Sequence, residues 1–231
     1  MISLVDLPSA SRATAWRTAM TRAMTRAMTL AIVGAAVLPV FSANAQVGEK
    51  PYLGTFNYTM AAPSGDSKDF ANNYSWLGFT LEGDWFLKQK LSAGFVGGWQ
   101  EIHKEQSGDS FQFDNGTATG RSYRHLMSIP LLARVRYWGG SPGQTFHPFV
   151  GLATGTYWMK QTVDFGIYSA DVDHWHFGLA PEVGVLVASH SGVAWTLNAR
   201  YNYPFAAGDY LNGNTASWSY IGIGIGIAYT R

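Results

Sequence analysis

Between Tyr220 and Tyr229 the chain reads Y-I-G-I-G-I-G-I-A-Y, so Ile221, Ile223, Ile225 and Ile227 share one side of an extended backbone and Gly222, Gly224, Gly226 and Ala228 the other. A repeat of two residues is the side-chain period of a β-strand. A bulky apolar face opposite a face with almost no side chain fits a strand that has lipid outside and a tight interior within. The same period recurs in eight segments, over approximately 50–60, 74–87, 91–103, 122–138, 146–159, 174–188, 193–203 and 218–230. The connections between them alternate: 61–73, 104–121, 160–173 and 204–217 are long and polar, and 88–90, 139–145 and 189–192 are short. The expected fold class is therefore all-β, an eight-stranded antiparallel up-and-down transmembrane β-barrel with long loops on one side and both chain ends on the other.

The sense of each strand follows from its charges. In the sixth segment Trp175, Phe177, Leu179, Pro181, Val183, Val185 and Val187 oppose His174, His176, Gly178, Ala180, Glu182 and Gly184. In the seventh, Val193, Trp195, Leu197, Ala199, Tyr201 and Tyr203 oppose Ala194, Thr196, Asn198, Arg200 and Asn202. The fourth sets Met127, Ile129, Leu131, Ala133, Val135 and Tyr137 against Ser128, Pro130, Leu132, Arg134 and Arg136, and the second sets Leu77, Phe79, Leu81 and Trp85 against Thr80, Glu82 and Asp84. Charge on one face only, with apolar residues on the other, places lipid on the apolar side. A soluble lipocalin-like cup would be charged outside. In the fifth segment two faces compete, and Val150 and Leu152 are assigned outward.

Aromatic residues gather where such strands would cross the membrane surfaces: Tyr74, Trp76, Trp99, Tyr157, Trp158, Trp175 and Tyr203 at one level, and Tyr52, Trp85, Tyr137, Trp138, Phe146 and Tyr229 at the other. Girdles of this kind belong to membrane interfaces. Pro130 and Pro181 lie inside strands, where a missing N–H interrupts the ladder, so bulges or local twists are expected there.

The first residues read as an address. Arg12, Arg17, Arg22 and Arg26 precede an apolar stretch from Met28 to Phe41, and Ala43-Asn44-Ala45 offers a small-x-small cleavage site. Residues 1–45 are thus expected to be a signal peptide, with Met20 as a second start, and 46–231 the barrel domain. A transit peptide and an uncleaved helix are the alternatives; the apolar run is shorter than the ~20 residues a spanning helix needs. Composition agrees. Charged residues make up 13%, about half the share of a soluble domain, while aromatics reach 15% and glycine numbers 26. The net charge of +1 argues against a nucleic-acid surface. With no cysteine, disulfides and thiolate metal sites are excluded.

Three motifs carry a resemblance: Ser128-Ile-Pro-Leu-Leu-Ala-Arg-Val-Arg-Tyr137, Pro148-Phe-Val-Gly-Leu-Ala-Thr-Gly155 and Leu179-Ala-Pro-Glu-Val-Gly-Val185. They resemble strands four to six of the outer-membrane protein β-barrel domain family, in the broad OmpA/OmpX/OmpW-like group. The resemblance implies a barrel in the outer membrane of a Gram-negative-type bacterium. It also implies contact with outer-membrane lipid and lipopolysaccharide, and insertion by the barrel assembly machinery through the C-terminal strand. The chain stops after the last strand, so no peptidoglycan-binding domain is expected, and a monomer is. Family members usually end on an aromatic; here Arg231 is last, and Tyr229 takes that part.

Candidate chemistry is sparse. Lipid-modifying barrels pair a His with a Ser or an acid, and the pairs present are His125 with Ser128 and His190 with Ser191. Residues three apart on a strand face opposite sides, and the second pair reads as a turn, so the chain is expected not to be an enzyme. His174 and His176 share an inner face without a visible third metal ligand, and neither cofactor nor metal is expected. The strongest candidate is a luminal charge network in which Glu82, Asp84 and Glu182 face Arg134, Arg136 and Arg200. The first contact expected is Glu182 with Arg200, and the acids of strand two are expected to reach strand four across Gly94, Gly98 and Gln100. Eight strands leave an interior that side chains can fill, which favours a structural or surface-interaction role with a plugged lumen. A narrow pore for ions or small hydrophobic molecules is the alternative, and a lipid-modifying enzyme the third reading.

Overall fold

The computed structural model describes residues 52–113, 116–141, 143–165, 168–189, 193–207 and 217–230. The expected leader, the His190–Ser191 pair and Arg231 lie outside the described residues. In chain order the elements are β1 (Tyr52–Pro63), α1 (Asp66–Phe70), β2 (Leu77–Lys88), β3 (Leu91–Phe113), β4 (Gly116–Trp138), β5 (Phe146–Phe165), β6 (Tyr168–Ala188), β7 (Val193–Pro204) and β8 (Tyr220–Thr230). Each strand pairs antiparallel with its neighbours in sequence, and β8 returns to β1 to close an eight-stranded barrel. Closure leaves no sheet edge around the membrane-spanning belt, so backbone donors and acceptors there are satisfied without water.

The alternation of β8 has a direct steric cause. Ile221, Ile223 and Ile225 are exposed on the outer face. Inside, Asn57 of β1 and Asn198 of β7 lean over the glycines: a Cβ on Gly224 would lie 2.4 Å from Asn198 Oδ1, and one on Gly226 would lie 2.0 Å from the Phe56 carbonyl oxygen. Glycine is what the neighbouring side chains leave room for. The other strands keep the same sense, with Leu131, Val135, Val183, Trp195 and Leu197 exposed and Glu82, Asp84, Arg134, Arg136, Glu182 and Arg200 buried. In β5, Val150 and Leu152 face out and Phe149 and Ala153 face in.

Strand length departs from the expected segments. β1, β2, β7 and β8 have 12, 12, 12 and 11 residues, whereas β3 and β4 have 23 each, β5 has 20 and β6 has 21. At ~3.3 Å per residue and a tilt of ~40°, twelve residues rise about 30 Å, enough for the ~25 Å apolar band. The four long strands rise nearly twice as far. Much of 104–121 and 160–173, expected as loops, is therefore hairpin: β3 and β4 pair up to Phe113 with Gly116, and β5 and β6 up to Phe165 with Tyr168.

Two aromatic assignments are corrected. Trp138 and Tyr157 are buried in the lumen and do not join the girdles. The parity that turns Arg136 inward also turns Trp138 inward, and Val150 and Leu152 facing lipid put Tyr157 inside. Tyr74, Trp76, Trp175 and Tyr203 are exposed at one level, and Trp85, Tyr137 and Phe146 at the other.

Of the bulges or local twists expected at the prolines, the bulge is corrected: neither Pro130 nor Pro181 sits on one. The β3–β4 ladder pairs Gly97 with Leu131 and resumes at Gln100 with Ser128, passing over Ile129 and Pro130 without a change of register. The β6–β7 ladder pairs Leu179 with Tyr203 and resumes at Glu182 with Arg200, passing over Ala180 and Pro181 in the same way. A residue without an N–H is accommodated where the strands part briefly and rejoin.

Candidate functional site

The site follows from one row of the sheet. Arg136 pairs with Gly151, Gly151 with Glu182, Glu182 with Arg200, and Arg200 with Gly222, from β4 round to β8. One step away, Asp84 pairs with Gly94 and Gly94 with Arg134, across β2, β3 and β4. Gly151 thus separates Glu182 from Arg136 and Gly94 separates Asp84 from Arg134, each pair lying two strands apart, whereas Glu82 is paired with Val96. A Cβ on Gly94 would lie 1.9 Å from the Gly83 carbonyl oxygen and 2.8 Å from Asp84 Oδ1, and one on Gly151 would lie 2.8 Å from Glu182 Oε1 and 2.9 Å from Arg136 Cγ. The absent side chains are the openings through which charges on alternate strands meet.

Through those openings the six charges form one cluster. Arg134 donates from Nη1 to Glu82 Oε2 at 2.6 Å and from Nε to Asp84 Oδ1 at 3.0 Å, with Nη2 on the other Asp84 oxygen. Arg136 donates from Nε to Glu182 Oε1 at 2.6 Å, from Nη1 to Asp84 Oδ2 at 3.1 Å and from Nη2 to Glu82 Oε2 at 3.0 Å. Arg200 donates from Nη2 to Glu82 Oε1 and to Glu182 Oε2, both at 2.7 Å. Glu82 touches all three guanidiniums, and the three positive and three negative charges cancel. None of the six side chains is more than 6% exposed. Buried ions are tolerable only when paired and fully hydrogen-bonded, which planar guanidiniums on carboxylates achieve.

Neighbouring polar groups extend the cluster. Thr196 donates to Asn57 at 2.6 Å, Asn57 to Thr80 at 3.2 Å, and Thr80 to Glu82 at 3.2 Å, a chain of donors ending on the carboxylate that carries most contacts. Below, toward the short turns, Leu53, Trp138, Phe149, Leu186, Ala194 and Ala228 are buried together in an apolar layer. Arg136 lies 4.2 Å over the Phe149 ring, a cation–π contact between the two layers.

This closed, side-chain-filled, eight-stranded barrel with its apolar exterior can be set beside solved structures. It is similar to Neisserial surface protein A at a TM-score of 0.51 and 14% identity, over 78% of this chain and 96% of that one. The fold is that of the small outer-membrane β-barrels. Two further likenesses are OprG from Pseudomonas aeruginosa, with a TM-score of 0.49, 13% identity and coverage of 82% of this chain and 99% of that one, and Ail of Yersinia pestis, at 0.41, 12%, 80% and 99%. No protein-family model matches the chain, and no curated protein matches it.

The barrel does not assemble the other candidates. His125 points outward, with Nδ1 3.1 Å from Glu101 Oε1, while Ser128 is in the lumen with its hydroxyl 3.3 Å from that of Tyr220. His176 Nδ1 lies 2.7 Å from the Phe205 carbonyl oxygen and is its hydrogen-bond donor. Among the described residues no three His, Asp or Glu side chains converge as a metal site would require. Reading single strands placed Thr80 and Thr196 inward but missed their hydrogen bonds to the cluster, and it missed Asn57 and Gly151 altogether; the signal for Gly151 was a glycine at an inward position between two charged strands.

Proposed function

We propose that this chain is an outer-membrane barrel with a structural or surface-interaction role, its lumen closed by the charge cluster. The observation that carries this reading is the cluster's span: Arg136 and Arg200 both touch Glu82 of β2 and Glu182 of β6, so one hydrogen-bonded unit crosses the barrel from wall to wall. A conducting path would have to break several charge-assisted bonds at once.

The surface role draws on the long strands. Above Leu77, whose partner is Glu101, β3 continues to Phe113 with β4 on one side and, among the described residues, no strand on the other. Such an edge offers main-chain donors and acceptors to an extended segment of another polypeptide. The outer face meets lipid and lipopolysaccharide, and β8, ending near Tyr229, is the segment offered to the assembly machinery. No nucleic acid, cofactor or catalytic centre enters this reading, and the protein acts as a monomer.

The experiment is conductance of the refolded protein in planar bilayers. The expected record is free of stepwise currents at moderate voltage. A steady, ion-selective open state of the unaltered protein would replace this reading with that of a narrow pore.

A further inference from the structure

Toward the long strands, the lumen changes character twice. First comes a cavity of about 20 Å³ bordered by Thr59, Gln100, Asn198, Arg200, Asn202 and Tyr220, room for about one water molecule. Beyond it, Ile102, Leu126 and Met159 of β3, β4 and β5 are buried together with Ala71 and Trp218. These last two residues come from the β1–β2 and β7–β8 connections, on either side of the seam where the barrel closes.

The β1–β2 connection crosses the mouth. It leaves β1 at Pro63, yet Phe70 at the end of α1 lies under Arg124 of β4, 5.6 Å from the guanidinium carbon, three strands round the ring. Phe70 also meets Trp218 edge-on, with ring centroids 5.4 Å apart. A few polar contacts fasten it. Ser64 N donates to the Ser219 carbonyl at 2.9 Å, Ser219 Oγ donates to the Ser64 carbonyl at 3.0 Å, and Ser217 N donates to Asp66 Oδ2 at 2.8 Å.

The two closures differ in how they are held. α1 has five residues and no side-chain cap, and Gly65 before it sits at φ 54°, a left-handed conformation suited to glycine. The charge cluster is built into strands that pair on both sides. Local opening starts where buried contacts and ladder bonds are fewest. We infer that residues 65–74 form a lid over a vestibule that opens to the outside independently of the charge cluster, which stays in place as its floor; the lid is anchored at Ser64 by Ser219 and at Ser75 by the bridge to Ala61 and by Gln100 of β3. The upper lumen is then a dead-end compartment, not half of a pore. This inference rests on the closed-lumen reading above.

The test uses the absence of cysteine from the chain. Met159→Cys puts a single thiol beneath the lid, and its reaction with a cationic methanethiosulfonate reagent is timed in detergent micelles, in the original lid and in two variants. Asp66→Ala cuts the latch only, and Phe70→Ser with Trp218→Ser removes the apolar roof. Heat-dependent migration in detergent electrophoresis confirms that each barrel is folded. The roof variant is expected to react about tenfold faster or more, and the latch variant by a smaller factor, in line with a lowered opening free energy. Bilayer recordings of both variants are expected to stay silent. Equal labelling rates in all folded proteins overturn the lid, and so does a thiol that reacts at the rate of an exposed cysteine with the lid intact. Steady current through a lid variant overturns the closed floor, whereas steady current through the unaltered protein overturns the proposed function itself.

Discussion

Glu182 and Arg200 occupy directly paired positions on β6 and β7, with Arg200 Nη2 2.7 Å from Glu182 Oε2 and both side chains buried in the lumen. The pair is one edge of a larger cluster, since Glu182 also accepts from Arg136 and Arg200 also donates to Glu82. Glu182→Leu is expected to cost ~3–5 kcal/mol by leaving buried guanidinium capacity uncompensated. Adding Arg200→Met should recover most of the loss, because an apolar pair of similar volume carries no ion to desolvate. Urea unfolding in lipid vesicles reads both values. A single variant as stable as the parent would mean that the charges are not sealed from water.

The glycine openings give a second prediction. Gly151→Ala pushes a Cβ against Glu182 and Arg136, so its cost should depend on whether Glu182 is present. A double-mutant cycle with Glu182→Leu is expected to show coupling of ~1 kcal/mol or more. The control is Gly178→Ala, which collides with the Tyr203 carbonyl oxygen and Pro204 of β7 and with none of the six charged side chains, and should be additive with Glu182→Leu.

The lipid face gives a third. Ile223 is 44% exposed on β8, and Ile223→Arg should destabilise by ~2–4 kcal/mol near the bilayer midplane, while Ile223→Leu stays within ~1.5 kcal/mol. Gly224→Leu, on the opposite face, should fail through collision with Asn198. Unchanged refolding yields for both Ile223→Arg and Gly224→Leu would invert the facing of this strand.

The ladder gaps give a fourth. Because the β3–β4 pairing already passes over Pro130, Pro130→Ala restores an N–H at a place where no ladder bond is lost, and stability should change little. Ala133→Pro, three residues along and paired with both Phe95 and Thr154, removes a donor from the closed wall and should cost at least ~1–3 kcal/mol. Parallel unfolding curves that rank the two substitutions the other way would show that the gap at Pro130 is not the reason it is tolerated.

Facing was legible in the chain because each strand is its own experiment: lipid accepts no charge, so Arg134, Glu182 and Arg200 had to turn inward and Leu131, Val183 and Ile223 outward whatever the partners were. Strand number and order followed from the same alternation and from the rhythm of long and short connections. The upper halves of β3 to β6 were not legible, since beyond the membrane surface water accepts either face and the period of two loses its meaning. The meeting of Asp84 with Arg134 was foreseeable in outline, but the part of Gly151 was not, because it depends on which residues share a row across three strands. The lid belongs wholly to the tertiary structure: Phe70 lies in a polar connection with no periodicity and Trp218, expected to open the last strand, precedes it, and only closure of the barrel, by bringing β1 beside β8, puts Ser64 against Ser219 and gives two distant aromatic rings one mouth to cover.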